Sequence, residues 1–130
     1  MALPGVLIVD DDQLMRVMLR DALADVPCVI SEADSGTAGL KKLDEVKPAV
    51  VLLDLVMPGL SGMDVLTRIT SQHSDIGVLV LSSLDTESLV QQALDAGARG
   101  FLVKPFHPLD VQNLVRAALE PIGTVEDNEP

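Results

Sequence analysis

Four short runs of Val, Ile and Leu constrain this chain more than any other feature: Val6 to Val9, Val50 to Leu53, Gly77 to Leu81 and Gly100 to Val103. Each has the length of a strand, and none shows the polar alternation of a strand with one face in water. Strands without alternation are covered on both faces, as in a parallel sheet between layers of helices. Cys28 to Ser31 is a fifth, weaker candidate.

The segments between these runs carry helical spacing. Met15, Met18, Leu19 and Ala22, and later Val111, Leu114, Val115 and Ala118, fall at i, i+3, i+4 and i+7. Shorter helices are expected at Thr37 to Val46, Gly62 to Gln72 and Thr86 to Ala96, with Gly36, Pro48 and Gly97 as punctuation. Methionines on such faces read as core filling. The order is strand then helix, five times over, which implies right-handed crossovers and a sheet with helices on both sides. The expected fold is therefore a flavodoxin-like (βα)5 doubly wound parallel sheet in the order 2-1-3-4-5. One domain is expected over residues 1–122, with residues 123–130 as an acidic tail or the start of a linker.

Composition narrows the function. At 48% hydrophobic the chain has material for a core, but two Phe and no Trp or Tyr make that core aliphatic and argue against a base-stacking surface. Nine basic residues against twenty acidic ones give a formal charge of -11, which repels phosphate backbones and anionic lipid and favours cations or basic partners. Direct nucleic-acid binding by this chain is not expected. Cys28 has no second cysteine to pair with and reads as a buried strand thiol in a reducing compartment. No stretch approaches the roughly 18 uninterrupted apolar residues of a membrane span, so a cytoplasmic protein without a membrane partner is expected.

Chemistry gathers where the apolar runs stop. Asp10, Asp11 and Asp12 follow the first run, Asp54 follows Val50 to Leu53, Ser82 and Ser83 follow the next, and Lys104-Pro105 follows the last. In an open parallel sheet these ends share one edge, and ligands bind where the strand order reverses, between the first and third strands. Two carboxylates 4 Å apart repel by roughly 4 kcal/mol at an intermediate dielectric, so a cation has to offset them. Oxygen ligands suit Mg²⁺, and Lys104 offers a fixed positive charge. Cys28, His73 and His107 form no spaced set for a thiolate or imidazole metal. A carboxylate beside Mg²⁺ and an ammonium can attack phosphorus, with the Ser82 hydroxyl bonding the transferred group. Singly, each of these residues reads as a cap or a solvated side chain; the set at successive strand ends is much harder to obtain by chance.

The segments VLIVDDD, VVLLDLVMPGLSG, VLVLSS and GFLVKPF together make the chain resemble the receiver domains of two-component response regulators, from Val6 to about Leu119. The resemblance implies that Asp54 is the phosphoacceptor and that Mg²⁺ is held by Asp11, Asp54 and the Val56 carbonyl directly and by Asp10 through water, with Asp12 not a ligand. It makes Ser82 the switch hydroxyl, Lys104 the family lysine and Pro105 the residue after a cis peptide. Phe101 takes the switch aromatic position, with a plain core phenylalanine as the equal alternative. Ser61 departs from the Asp or Asn common before the Gly62 position, which touches the turn and not the chemistry. Val56 and Leu84 flank the phosphoryl group and are apolar, so neither orients an attacking water and slow self-dephosphorylation is expected.

The implied partners are a histidine kinase or phosphotransfer protein as donor, an output domain beyond this segment, and a second copy through the fourth and fifth helix face. The implied activity is that of a signalling receiver that catalyses its own phosphorylation and slow dephosphorylation. Two rivals fit less well. A haloacid-dehalogenase type phosphohydrolase needs a second acid where this chain has Asp54-Leu55-Val56, and a flavodoxin-like mononucleotide binder would place phosphate against three acids.

Overall fold

The computed structural model describes residues 2–120. Five strands alternate with five helices: β1 Gly5–Val9, α1 Gln13–Ala22, β2 Val29–Ala33, α2 Gly36–Val46, β3 Val50–Asp54, α3 Gly62–Gln72, β4 Gly77–Ser82, α4 Glu87–Asp95, β5 Gly100–Val103 and α5 Pro108–Leu119. All pairings are parallel and the sheet order is β2-β1-β3-β4-β5, the flavodoxin-like arrangement expected from the apolar runs. The expected tail at 123–130 lies outside the described residues. Among those described, no helix is long and apolar enough to cross a membrane.

The unalternating runs are explained by two cores, one on each face of the sheet. Leu7, Val9, Val51, Leu53, Val78 and Val80 pack with Leu43 of α2, Val65, Leu66 and Ile69 of α3 and Ala93 of α4. Their alternates Val6, Ile8, Val50, Leu52, Leu79 and Leu81 pack with Leu19 and Ala22 of α1 and Val111 and Val115 of α5. With both faces buried, every position of the central strands β3 and β4 is apolar except where the sheet ends in Asp54 and Ser82.

The edge strand departs from its expected limits. β2 starts one residue later and runs two residues further than Cys28 to Ser31, because its register is set by β1, pairing Gly5 with Val29 and Val9 with Ala33. Cys28 therefore stands just before the strand and is half-buried instead of fully buried, and burial raises its thiol pKa. Gly36 does not end a segment; it is the first residue of α2 and is buried. A Cβ there would sit 2.7 Å from Val65 Cγ2, so its hydrogen lets α2 approach α3. Thr86, expected inside the fourth helix, is its cap, accepting at Oγ1 from the Leu89 N–H at 3.2 Å.

Candidate functional site

β1 and β3 are neighbours, so the residues that follow them share one crevice at the C-terminal edge of the sheet. The sheet pattern carries one residue past β1, where the Asp10 N–H donates to the Ala33 carbonyl at 3.1 Å and the Asp10 side chain is wholly buried. Its Oδ1 accepts from the Asp12 N–H at 2.9 Å. Asp12 in turn caps α1, its Oδ1 accepting from the Leu14 N–H at 3.0 Å. Asp11 and Asp12 are both exposed, and of the two it is Asp11 that clusters with Asp10 and Asp54.

Asp54 ends β3 and is buried, with Oδ1 accepting from the Val56 N–H at 3.0 Å. Oxygens of Asp10, Asp11 and Asp54 lie within 4.8 Å of one another. Lys104 reaches in from the end of β5. Its Nζ is 3.2 Å from Asp10 Oδ2 and 3.3 Å from Asp54 Oδ2. Its main chain is held by the Lys104 N–H, which donates to the Ser82 carbonyl at 2.9 Å, and the peptide bond to Pro105 is cis. Ser82 is fully buried at the end of β4, one residue beyond Leu81, which pairs with Asp54. Its Oγ accepts from the Leu84 N–H at 3.0 Å.

The electrostatics follow from this packing. Burial raises the Asp54 pKa above the ordinary carboxylate value and the Asp10 charge adds to the rise, while the Val56 N–H and Lys104 pull it down. Three carboxylates against one ammonium leave two formal negative charges unmatched within the cluster. The donors are hard oxygens and the deficit is two, which fits a divalent cation of the Mg²⁺ type. Asp10 and Asp54 each have both oxygens engaged already, so Asp11 has the freest lone pairs.

Around the crevice, Val56 and Leu84 are 58% and 54% exposed and present apolar side chains at its rim. Ser61 caps α3, its Oγ accepting from the Asp64 N–H at 3.1 Å. Gly62 packs on the backbone just past β3: a Cβ there would collide with Leu55 Cα. Phe101 pairs with Val80 and is half-buried against the core shared by α2, α3 and α4, which leaves both the switch and the core readings of it standing.

Sequence reasoning passed over Arg16, Arg20 and Glu32. Arg16 Nη1 donates to the Asp10 carbonyl at 2.8 Å and its Nε to Glu32 Oε1 at 2.9 Å, while Arg20 Nε donates to Glu32 Oε2 at 2.8 Å. The two arginines hold the Glu32 carboxyl below its usual pKa, Arg20 foremost. The available signal was two arginines four apart on one helix facing an acid on the next strand, a pattern that solvated faces also show.

Comparison with known proteins agrees with this fold. A model of the response regulator receiver domain matches residues 6–116. The chemotaxis protein CheY of Listeria monocytogenes is 39% identical over 101 residues, covering 77% of this chain and 85% of that protein. The response regulator GacA of Pseudomonas viridiflava is also 39% identical over 101 residues, which is 76% of this chain but 47% of GacA. The solved structure of the Vibrio cholerae chemotaxis protein CheY4 superposes with a TM-score of 0.83 at 28% identity, covering 91% of this chain and all of that one.

Proposed function

Because the chain belongs to the response regulator receiver domain family of two-component signalling, we propose that it accepts a phosphoryl group on Asp54 from a histidine kinase or phosphotransfer protein and passes the change to an output domain or partner. The observation that carries this reading is the placement of Lys104 Nζ between Asp10 Oδ2 and Asp54 Oδ2 in a crevice with two unmatched negative charges.

The Asp54 carboxylate is the nucleophile. One of its oxygens forms a bond to phosphorus while the bond from phosphorus to the donor's leaving nitrogen breaks, and the leaving group stays with the donor. Lys104 gives up part of its pairing with Asp54 to meet the charge of the incoming phosphoryl oxygens. Ser82 exchanges its bond from the Leu84 N–H for a contact to the same oxygens, with the Phe101 side chain following it inward. Asp11, Asp54 and the Val56 carbonyl would hold Mg²⁺ directly and Asp10 through water, and the ion when bound would neutralise the acids and the transferred group. The phosphorylated state is favoured to the extent that Ser82 and Lys104 bond the new group better in the active arrangement. The side chains of Val56 and Leu84 offer no polar atom to orient water, so the phosphoryl group persists. The setting is cytoplasmic, where the donor proteins work.

Mass spectrometry after acetyl phosphate and Mg²⁺ tests the assignment. One added phosphoryl group, missing from Asp54→Ala and from samples in EDTA, is the expected result. Addition at another residue overturns the assignment. Loss of a radiolabelled phosphoryl group within seconds in the isolated chain overturns the reading of Val56 and Leu84.

A further inference from the structure

The geometry points to Arg16 as a positioning residue for the acid crevice, aimed by Glu32, that fixes the main chain of Asp10 and through it the carboxylates that face the cation. This rests on the Mg²⁺ reading of the crevice given above. Asp10 is the one acid of the cluster whose side chain touches both Lys104 and the loop into α1. Its own carbonyl is held by Arg16 Nη1 at 2.8 Å. The guanidinium has little freedom to choose another partner: its side chain is 16% exposed and its Nε is tied to Glu32 Oε1 at 2.9 Å. Arg20 takes the other Glu32 oxygen at 2.8 Å, so the carboxylate that aims Arg16 is itself fixed from two sides. The chain of bonds runs from the edge strand β2, through α1, to the peptide between Asp10 and Asp11.

A fork matters here. One planar group bonds a carboxylate and a carbonyl at once, which an ammonium on a flexible stem does less well. Groups that orient ligating carboxylates from behind typically change metal affinity by about tenfold or more when removed. The sign separates this role from a simple charge effect. Arg16 is a cation near a cation site, so by charge alone its removal tightens Mg²⁺ binding. As a positioning residue, its removal weakens it.

The test is Mg²⁺ affinity by titration calorimetry on the full chain, with urea unfolding of each variant as the check on folding. Arg16→Ala is expected to bind Mg²⁺ about tenfold more weakly. Alanine is a good helix former, so α1 should persist. Arg16→Lys keeps the charge and is expected to fall between the two, which a charge effect would not produce. Glu32→Gln, nearly isosteric, should weaken binding in the wild-type background and add little to Arg16→Ala, since both act through one contact. Without any metal, Arg16→Ala should speed exchange of the Asp12 N–H, which bonds Asp10 Oδ1, by about tenfold, the value of one bond to a charged group. Mg²⁺ binding that is unchanged or tighter in Arg16→Ala overturns the inference while leaving the Mg²⁺ reading intact. A wild-type chain that gives no Mg²⁺ response overturns that reading, and the inference with it.

Discussion

Asp54 is a strand-end carboxylate whose neighbours pull it in opposite directions, and its stability signature follows from which pull is larger. Burial and Asp10 outweigh Val56 and Lys104, so the folded state holds the Asp54 proton more tightly than the unfolded chain does. A group of that kind contributes stability that is fully present below the ordinary carboxylate pKa of about 3.9 and is lost as pH rises through the raised value. Asp54→Asn removes the charge while keeping an oxygen for the Val56 N–H. In EDTA at pH 7 its urea midpoint should exceed that of the wild type, and the gap should close as pH falls to about 4. A gap of constant size across that range would mean that titration of Asp54 is not its origin. The sequence marked Asp54 and Lys104 because strand ends are legible from apolar runs. Their ion pair, at 3.3 Å, depends on the register of β5 against β4, which no local pattern encodes.

At the scale of the element, the turn from β3 into α3 is where backbone approach governs. Gly62 opens α3 directly on the Leu55 backbone, and the space for a methyl group does not exist there. Gly59, three residues earlier, has a φ of +85° but nothing within 4 Å of where a Cβ would stand. The two glycines are thus needed for different reasons. Gly62→Ala is expected to destabilise by about 3 kcal/mol, since either β3 or α3 has to shift. Gly59→Ala should cost about 1 kcal/mol, the left-handed backbone being the only penalty. Urea midpoints of the two variants check the order, and phosphorylation by acetyl phosphate should fall in Gly62→Ala, because displacing Leu55 displaces Asp54. The helices themselves were readable from spacing, but the caps Ser61 and Thr86 were seen only in the structure. The limits of β2 were not, because an edge strand with half-buried positions lacks the strong pattern of β1, β3 and β4.

For the whole molecule, the proposed Mg²⁺ site would couple metal binding to folding. The unfolded chain scatters Asp10, Asp11 and Asp54, so a cation that uses all three binds the folded state alone. Mg²⁺ at a hundredfold over its dissociation constant should add about 2.7 kcal/mol to unfolding free energy, with EDTA reversing it. In Asp11→Ala the increment should largely vanish, while stability without metal changes little, because that side chain is exposed. An equal increment in Asp11→Ala, measured by urea unfolding, would place the ion elsewhere. By itself the sequence determined the layers and the edge at which chemistry collects. Unalternating Val, Ile and Leu runs cannot face water on either side, and the polar residues that interrupt them fall at strand ends. Only the tertiary structure decided how those residues act on one another. The burial that raises the Asp54 pKa, the span of Lys104 across two acids and the grip of Arg16 on the Asp10 carbonyl all depend on distances between elements far apart in the chain. Such distances are set by packing and register, and a linear pattern of residue types does not carry them.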